Sequence, residues 1–425
     1  MTPPADTDYL SLAVQNEAKG RQAPQLSEKH QAILARVENR ASNELLFGLK
    51  YHVMRRCFLD LAYYNGFQHV YWNYKRHKIN QIPLKKGATR VTDNKIMPAV
   101  QRAVKILTGK VDFHVRPKNS DFRSRASARM GERATRHLYR TKRWSRKLRN
   151  TMRWCAVTGV GFVRPFWNPN AGPEVEYFID PSDGLPIPPE QLSEDAKALL
   201  RAEGMVTKVR EGEVDLAVHS PFEVYVPDTA TDTDDLQWYL IAERRSLDWI
   251  RQRWPKQGKY VAPEKFTSWE STSFEARILS MAGGGVESGF EGFAGSLEYD
   301  DDKSAILKTY VEPPTSDNPK GMYAVVAGGV LLEIGDSPSY TFGLNGSDLV
   351  KFDFIERPGS FWPISLPENM ISPQRLLNNN QGQITDIRKN VLKPKMLAAR
   401  GAVLGKSNFY DVTAEIIEYD EEKPP

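Results

Sequence analysis

Residues 374–397 read "QRLLNNNQGQITDIRKNVLKPKML". The spacing predicts a helix from about Gln374 to Leu397, with an apolar seam of Leu377, Ile384, Ile387 and Val391. Asn378, Asn379, Asn380, Gln381 and Gln383 crowd its first half, where such residues have only middling helix propensity. So narrow a seam cannot bury a helix by itself. It suits a helix packed edge to edge with copies of itself, leaving one side wet.

Upstream, Ser27 opens an expected long helix with Ile33, Val37, Leu45, Leu46, Leu49 and Val53 at helical spacing, running towards "LAYYNGFQHVYWN". Asn94 can cap a second helix, whose face is Ile96, Val100, Val104 and Leu107, with Pro98 tolerated in the first turn and Gly109 at the end. "VDFHVRP" after it alternates as a short strand.

A third helix is expected from about Arg123 to Thr158. Its cations Arg129, Arg133, Arg136, Arg140, Arg143 and Lys147 fall at steps of four and three, a basic stripe. Met130, Ala134, His137, Leu138, Trp144, Leu148 and Met152 form an apolar side to dock. "TGVGFVRPFWNPNAGPEVEYFIDP" then gives two strands around a turn at residues 168–172.

Further strands are expected in "EVDLAVHSPFEVYVPD" and "DDLQWYLIAERRSLDWIRQRWP", the latter ending in a short helix stopped by Pro255. "SMAGGGVESGFEGFAGS" is a Gly-rich linker, and a small β-rich unit follows in "AILKTYVEPP" and "GMYAVVAGGVLLEIG". The expected class is therefore α+β.

The 425 residues, 26% charged and 40% hydrophobic, suit a folded chain of two or three parts. The start shows no secretory signal, no apolar run is long enough for a membrane helix, and the chain is expected to be made in the cytoplasm. Cys57 and Cys155 support no disulfide framework, and the seven histidines lack metal-site spacing. A net charge of +5, from 58 basic and 53 acidic residues, is too balanced for a dedicated nucleic-acid clamp.

Chemistry is hard to place. "GAVLGKSN" at 401–408 is one residue short of a phosphate loop, and "AGGGVESGFEG" has no strand leading into it. Asp300, Asp301 and Asp302 read as solvated carboxylates. No nucleophile set emerges, so neither an enzyme nor a cofactor site is expected.

The order of segments resembles the portal proteins of tailed bacteriophages: "NKIMPAVQRAVKILTGKVDFHVRPKNSD", "CAVTGVGFVRPFWNPNAG", "HSPFEVYVPDTATDTDDLQWYLIAERRSLDWIRQRWP", "LKTYVEPP" and "ERPGSFWPISLPENMISPQRLLNNNQGQITDIRKN". The resemblance spans about residues 45–400. It implies a portal fold with a helical and β wing, two stem helices and a β-rich clip, assembled as a ring, commonly of twelve copies, at one capsid vertex of the virion. The corresponding parts are an N-terminal arm over 1–26, a wing over 27–261, a first stem helix and Gly-rich linker over 262–297, a clip over 298–365, a second stem helix over 366–399 and a return segment over 400–425. Family members usually continue into a helical crown, whereas this chain ends in "EIIEYDEEKPP".

The partners implied are further copies of the chain, double-stranded DNA passing through the channel, the terminase large subunit, neck and adaptor proteins, and the major capsid and scaffolding proteins, with no membrane. A channel must pass a polyanion without gripping it, so a few scattered cations serve better than a dense basic lining. Arg388, Lys389, Lys393, Lys395 and Arg400 are the candidates to face DNA or to pair across subunits. The wing stripe is expected to meet a neighbouring subunit or the outer layer of packaged DNA. The alternatives are a nucleic-acid-binding module or a DNA-packaging enzyme.

Overall fold

The computed structural model describes residues 27–46, 49–73, 78–84, 88–109, 114–117, 119–168, 171–179, 186–187, 192–202, 206–210, 212–263, 304–316, 318–344, 346–392, 395–399 and 415–419. Over these residues the chain is α+β. It begins with helices α1 (Glu28–Leu46) and α2 (Leu49–Tyr64), strands β1 (Val70–Asn73) and β2 (Lys78–Gln81), and helices α3 (Ile96–Leu107), α4 (Phe122–Thr141) and α5 (Trp144–Thr158). Strands β3 (Val160–Asn168), β4 (Glu174–Ile179) and β5 (Pro186–Ile187) precede helix α6 (Glu194–Ala202), which leads to β6 (Val206–Arg210), β7 (Glu213–His219), β8 (Val224–Tyr225) and β9 (Tyr239–Ser246). Helix α7 (Leu247–Arg253), strands β10 (Ser304–Glu312), β11 (Met322–Ala327) and β12 (Val330–Gly335), and the short α8 (Pro338–Thr341) come next. The chain closes with β13 (Val350–Asp353), α9 (Leu366–Leu392), β14 (Lys395–Ala399) and β15 (Glu415–Tyr419).

The largest sheet is antiparallel, in the order β12-β11-β10-β9-β8. Its β9–β10 ladder runs from Ser246 opposite Ser304 to Tyr239 opposite Val311. Side chains alternate between faces with a period of two. Leu240, Tyr310, Ala324 and Val326 meet Val37 of α1 on one face, while Tyr239, Ile241 and Val311 meet Phe162, Phe361 and Trp362 on the other. The β-rich stretch expected after the Gly-rich linker therefore shares a sheet with residues 224–246.

A second sheet, β13-β3-β7, backs this core. Partly buried Arg164 of β3 ion-pairs with Asp348 at 2.8 Å, and the Tyr239 hydroxyl donates to the same carboxylate. A helical layer joins α2, α3 and α5 through Met54, Phe58, Leu61, Ile96, Val100, Val104, Ala156 and Val157. Where β3 passes α5, a Cβ on Gly161 would stand 2.5 Å from the Thr151 carbonyl oxygen, so the close approach requires glycine.

Several expectations hold. Asn94 Oδ1 accepts from the backbone N–H groups of Ile96 and Met97 at 3.1 and 3.2 Å, capping α3. Ile96, Val100 and Val104 form its buried face. The short helix expected before Pro255 is α7, which ends at Arg253; Ser246 Oγ, which was not singled out, caps it by accepting from Trp249 N–H at 3.3 Å.

Others are corrected. The long first helix is two helices, α1 and α2. The expected single helix over 123–158 is also two, α4 and α5, because Arg143 between them takes left-handed backbone angles, φ 53° and ψ 41°. The apolar side expected to dock α4 is not covered by the described residues: Met130 is 72% exposed, and only Ala128 is buried along that helix. Strands β3 and β4 do not pair with each other, since β4 pairs with β5 and β6.

The terminal helix begins earlier and ends sooner than its periodicity indicates. Ser365 Oγ caps α9 by accepting from Glu368 N–H at 3.0 Å. Pro373 then lies inside the helix, and the chain beyond Leu392 becomes β14, pairing in parallel with β15. Residues 114–117, the end of the expected strand "VDFHVRP", are not in a strand, and residues 111–113 lie outside the described residues. So do the N-terminal arm, most of the expected first stem helix and linker, Asp300, Asp301 and Asp302, and the phosphate-loop-like stretch.

Candidate functional site

Two regions carry the sequence-predicted residues. The first is the bend between α4 and α5. Arg129, Arg133, Arg136 and Arg140 are exposed along α4. Arg136 pairs with Glu132 one turn earlier at 2.6 Å. At the bend the stripe breaks. Lys147 turns inward and holds Asp215 Oδ1 of β7 at 2.5 Å and the Leu216 carbonyl at 2.9 Å. Lys142, beside Arg143, ion-pairs with Glu213 at the start of the same strand. The two lysines therefore clamp the start of α5 to β7.

Sequence reading missed what lies next to that clamp. Arg143, Arg146, Arg149 and Arg153 line a concavity of about 720 Å3 together with Leu216 and Val218. All four arginines are exposed. The signal was present in "RWSRKLRNTMR", where Arg146, Arg149 and Arg153 share one helix face, but the expected stripe passed from Arg143 to Lys147 instead.

The second region is α9. Its amides do not flank a wet seam throughout, because Gln374 and Asn378 are buried against the chain itself. Asn378 Oδ1 accepts from Asp93 N–H at 3.1 Å and its amide donates to Gln68 Oε1 at 2.7 Å. Gln374 Oε1 accepts from Lys95 N–H at 3.0 Å, and its amide donates to the Asp93 carbonyl at 2.6 Å. The second half of the seam is open: Ile384, Ile387 and Val391 are 42%, 62% and 72% exposed.

The channel candidates divide accordingly. Arg388 and Lys389 are exposed near the end of α9, and Lys389 donates to Thr89 Oγ1 at 2.7 Å. Lys395 is not on the helix but opens β14. Lys393 and Arg400 lie outside the described residues.

One cluster could converge on a cation: His219, Glu223 and Glu243. His219 Nδ1 lies 3.3 Å from Glu223 Oε2 and 3.0 Å from Glu243 Oε1. Burial alone would lower the imidazole pKa, yet hydrogen bonds to the two carboxylates hold it above the ordinary histidine value. Burial would likewise raise Glu243, but His219 and Arg245 take it down to about 2. The cluster is an ion-pair network that ties β7 to β9.

No helix among the described residues is long and apolar enough to cross a membrane. Compared with known protein families and with curated proteins, the chain matches none.

Proposed function

We propose that this chain is a non-enzymatic, self-assembling subunit of the portal kind: one of about a dozen copies in a ring at a capsid vertex, through which double-stranded DNA is packaged and ejected. In that role it would dock the terminase large subunit and neck proteins, contact capsid and scaffolding proteins, and end in the virion. The resemblance in segment order supplies the family. The observation that carries the assembly part is α9. One face of the helix is bolted to its own chain by Gln374 and Asn378, while Ile384, Ile387 and Val391 are left exposed on the other. Such a helix stripe, apolar and uncovered among the described residues, favours neighbouring copies. Arg388 beside it keeps the scattered-cation reading of the channel.

The test is the particle mass of the purified chain by light scattering, with negative-stain images. A closed ring with a central hole supports the proposal. Ile387→Glu with Val391→Glu should then abolish the ring while leaving the melting temperature of the subunit nearly unchanged, since both side chains are exposed. A monomer at every salt and protein concentration tried refutes the proposal.

A further inference from the structure

We infer that the concave face of α5, with Arg143, Arg146, Arg149 and Arg153, binds the phosphate backbone of duplex DNA without regard to base sequence. On a helix turning about 100° per residue, Arg146, Arg149 and Arg153 fall within about 60° of one another. With Arg143 at the bend they extend over about 15 Å at 1.5 Å per residue. Measured along the duplex axis, that distance spans about four phosphates of one strand at ~3.4 Å of rise each.

Charge balance points the same way. No acid lines the groove among the described residues, and Glu213 and Asp215 of the adjoining β7 are already paired with Lys142 and Lys147. The four arginines have no hydrogen-bond or ion-pair partner for their side chains among the described residues. The planar guanidinium fork, suited to bidentate contact with phosphate, is thus the group left unspent.

The lining selects among polyanions and partners. Its apolar members are Leu216 and Val218, too few for a protein interface, which is more than half apolar. No aromatic ring lines it among the described residues, so it lacks the stacking platform that captures single strands. Polar, strongly positive and shallow surfaces are what duplex backbones meet. The groove is complete within one chain, so this inference stands whether or not the chain forms a ring.

The experiment uses the full chain and a short labelled DNA duplex of arbitrary sequence, followed by fluorescence anisotropy as salt rises. Four phosphate contacts give a slope of log K against log salt near −3.6, a loss of about 150-fold between about 50 and 200 mM. Arg146→Ala, Arg149→Ala and Arg153→Ala combined should flatten the slope to about −0.9, a loss of only about 3.5-fold over the same range. Should the triple variant not fold, each single substitution is expected to reduce the slope by about 0.9. Unchanged slopes in these variants, or a wild-type chain without salt-dependent duplex binding, overturn the inference. So does a triple variant that alters particle mass yet keeps the duplex slope, which would assign the groove to a subunit contact. Tighter capture of a single strand than of the duplex also overturns it.

Discussion

Replacing Asp60 with asparagine should remove much of the pH dependence of folding stability. Asp60 sits on α2 with no exposed surface. Its Oδ2 accepts from Ser365 Oγ at 2.7 Å, while Oδ1 is buried without a hydrogen-bond partner. Burial lifts the carboxyl to about 8, against the opposing pull of the Ser365 hydrogen bond and the Arg56 charge. The folded pKa is therefore raised, so the folded state keeps a proton that the unfolded chain releases above its ordinary value near 3.8. This contribution is full below about pH 4 and is lost as pH rises through about 8. At ~1.4 kcal/mol per pH unit, the loss between about pH 5 and pH 8 is on the order of 4 kcal/mol.

Asparagine has the same shape and cannot ionise. Asp60→Asn should change stability little near pH 5 and raise it by on the order of 4 kcal/mol near pH 8. Urea unfolding followed by tryptophan fluorescence, at fixed protein concentration because assembly shifts apparent stability, measures this. His219, whose pKa is also raised, loses its contribution in the same direction. The quantity to read is accordingly the difference between wild type and variant. Parallel stability curves across this range would refute the reasoning.

Asn378→Ala should cost about 1–3 kcal/mol, because it strands Gln68 Oε1 and Asp93 N–H without partners; chemical denaturation checks it. Arg143→Gly should stabilise the subunit by about 1 kcal/mol by relieving the left-handed backbone, visible as a higher melting temperature. Gly161→Ala should lower stability by about 1–3 kcal/mol, since its methyl would collide with the Thr151 carbonyl, and it should do so without changing the unfolding slope in urea.

What could be read from the sequence was local. Asn94 and three of the four residues of the α3 face, Ile96, Val100 and Val104, are set within a few residues and appear as expected, while Leu107 is exposed. Periodicity put the start of the last helix at about Gln374. The actual start is fixed by Ser365, whose cap is reinforced from Asp60 on a helix some three hundred residues earlier in the chain. Periodicity likewise told which residues of α4 share a side, but not whether anything covers them, and Met130 at 72% exposure shows the difference. Adjacent strands β3 and β4 suggested a hairpin, yet β3 found β7 and β13 instead. The groove on α5 was legible in the spacing of Arg146, Arg149 and Arg153, whereas the inward turn of Lys147 to Asp215, which takes it off the basic stripe, is a tertiary contact that spacing does not encode.

The β9–β10 ladder also has a consequence for synthesis. Its two strands are separated by the 57 residues 247–303. At about 5–20 residues per second, a ribosome needs about 3–11 s to cross that interval. During it, β9 has only the two-residue β8 among its eventual neighbours, through Val224 opposite Ile241 and Tyr225 opposite Leu240. Its other edge stands unpaired, a template for the same strand of a chain on a neighbouring ribosome. The speed of translation through 247–303 thus governs how long each nascent subunit is open to mispairing, and crowding of ribosomes on one message works against the yield of soluble chain.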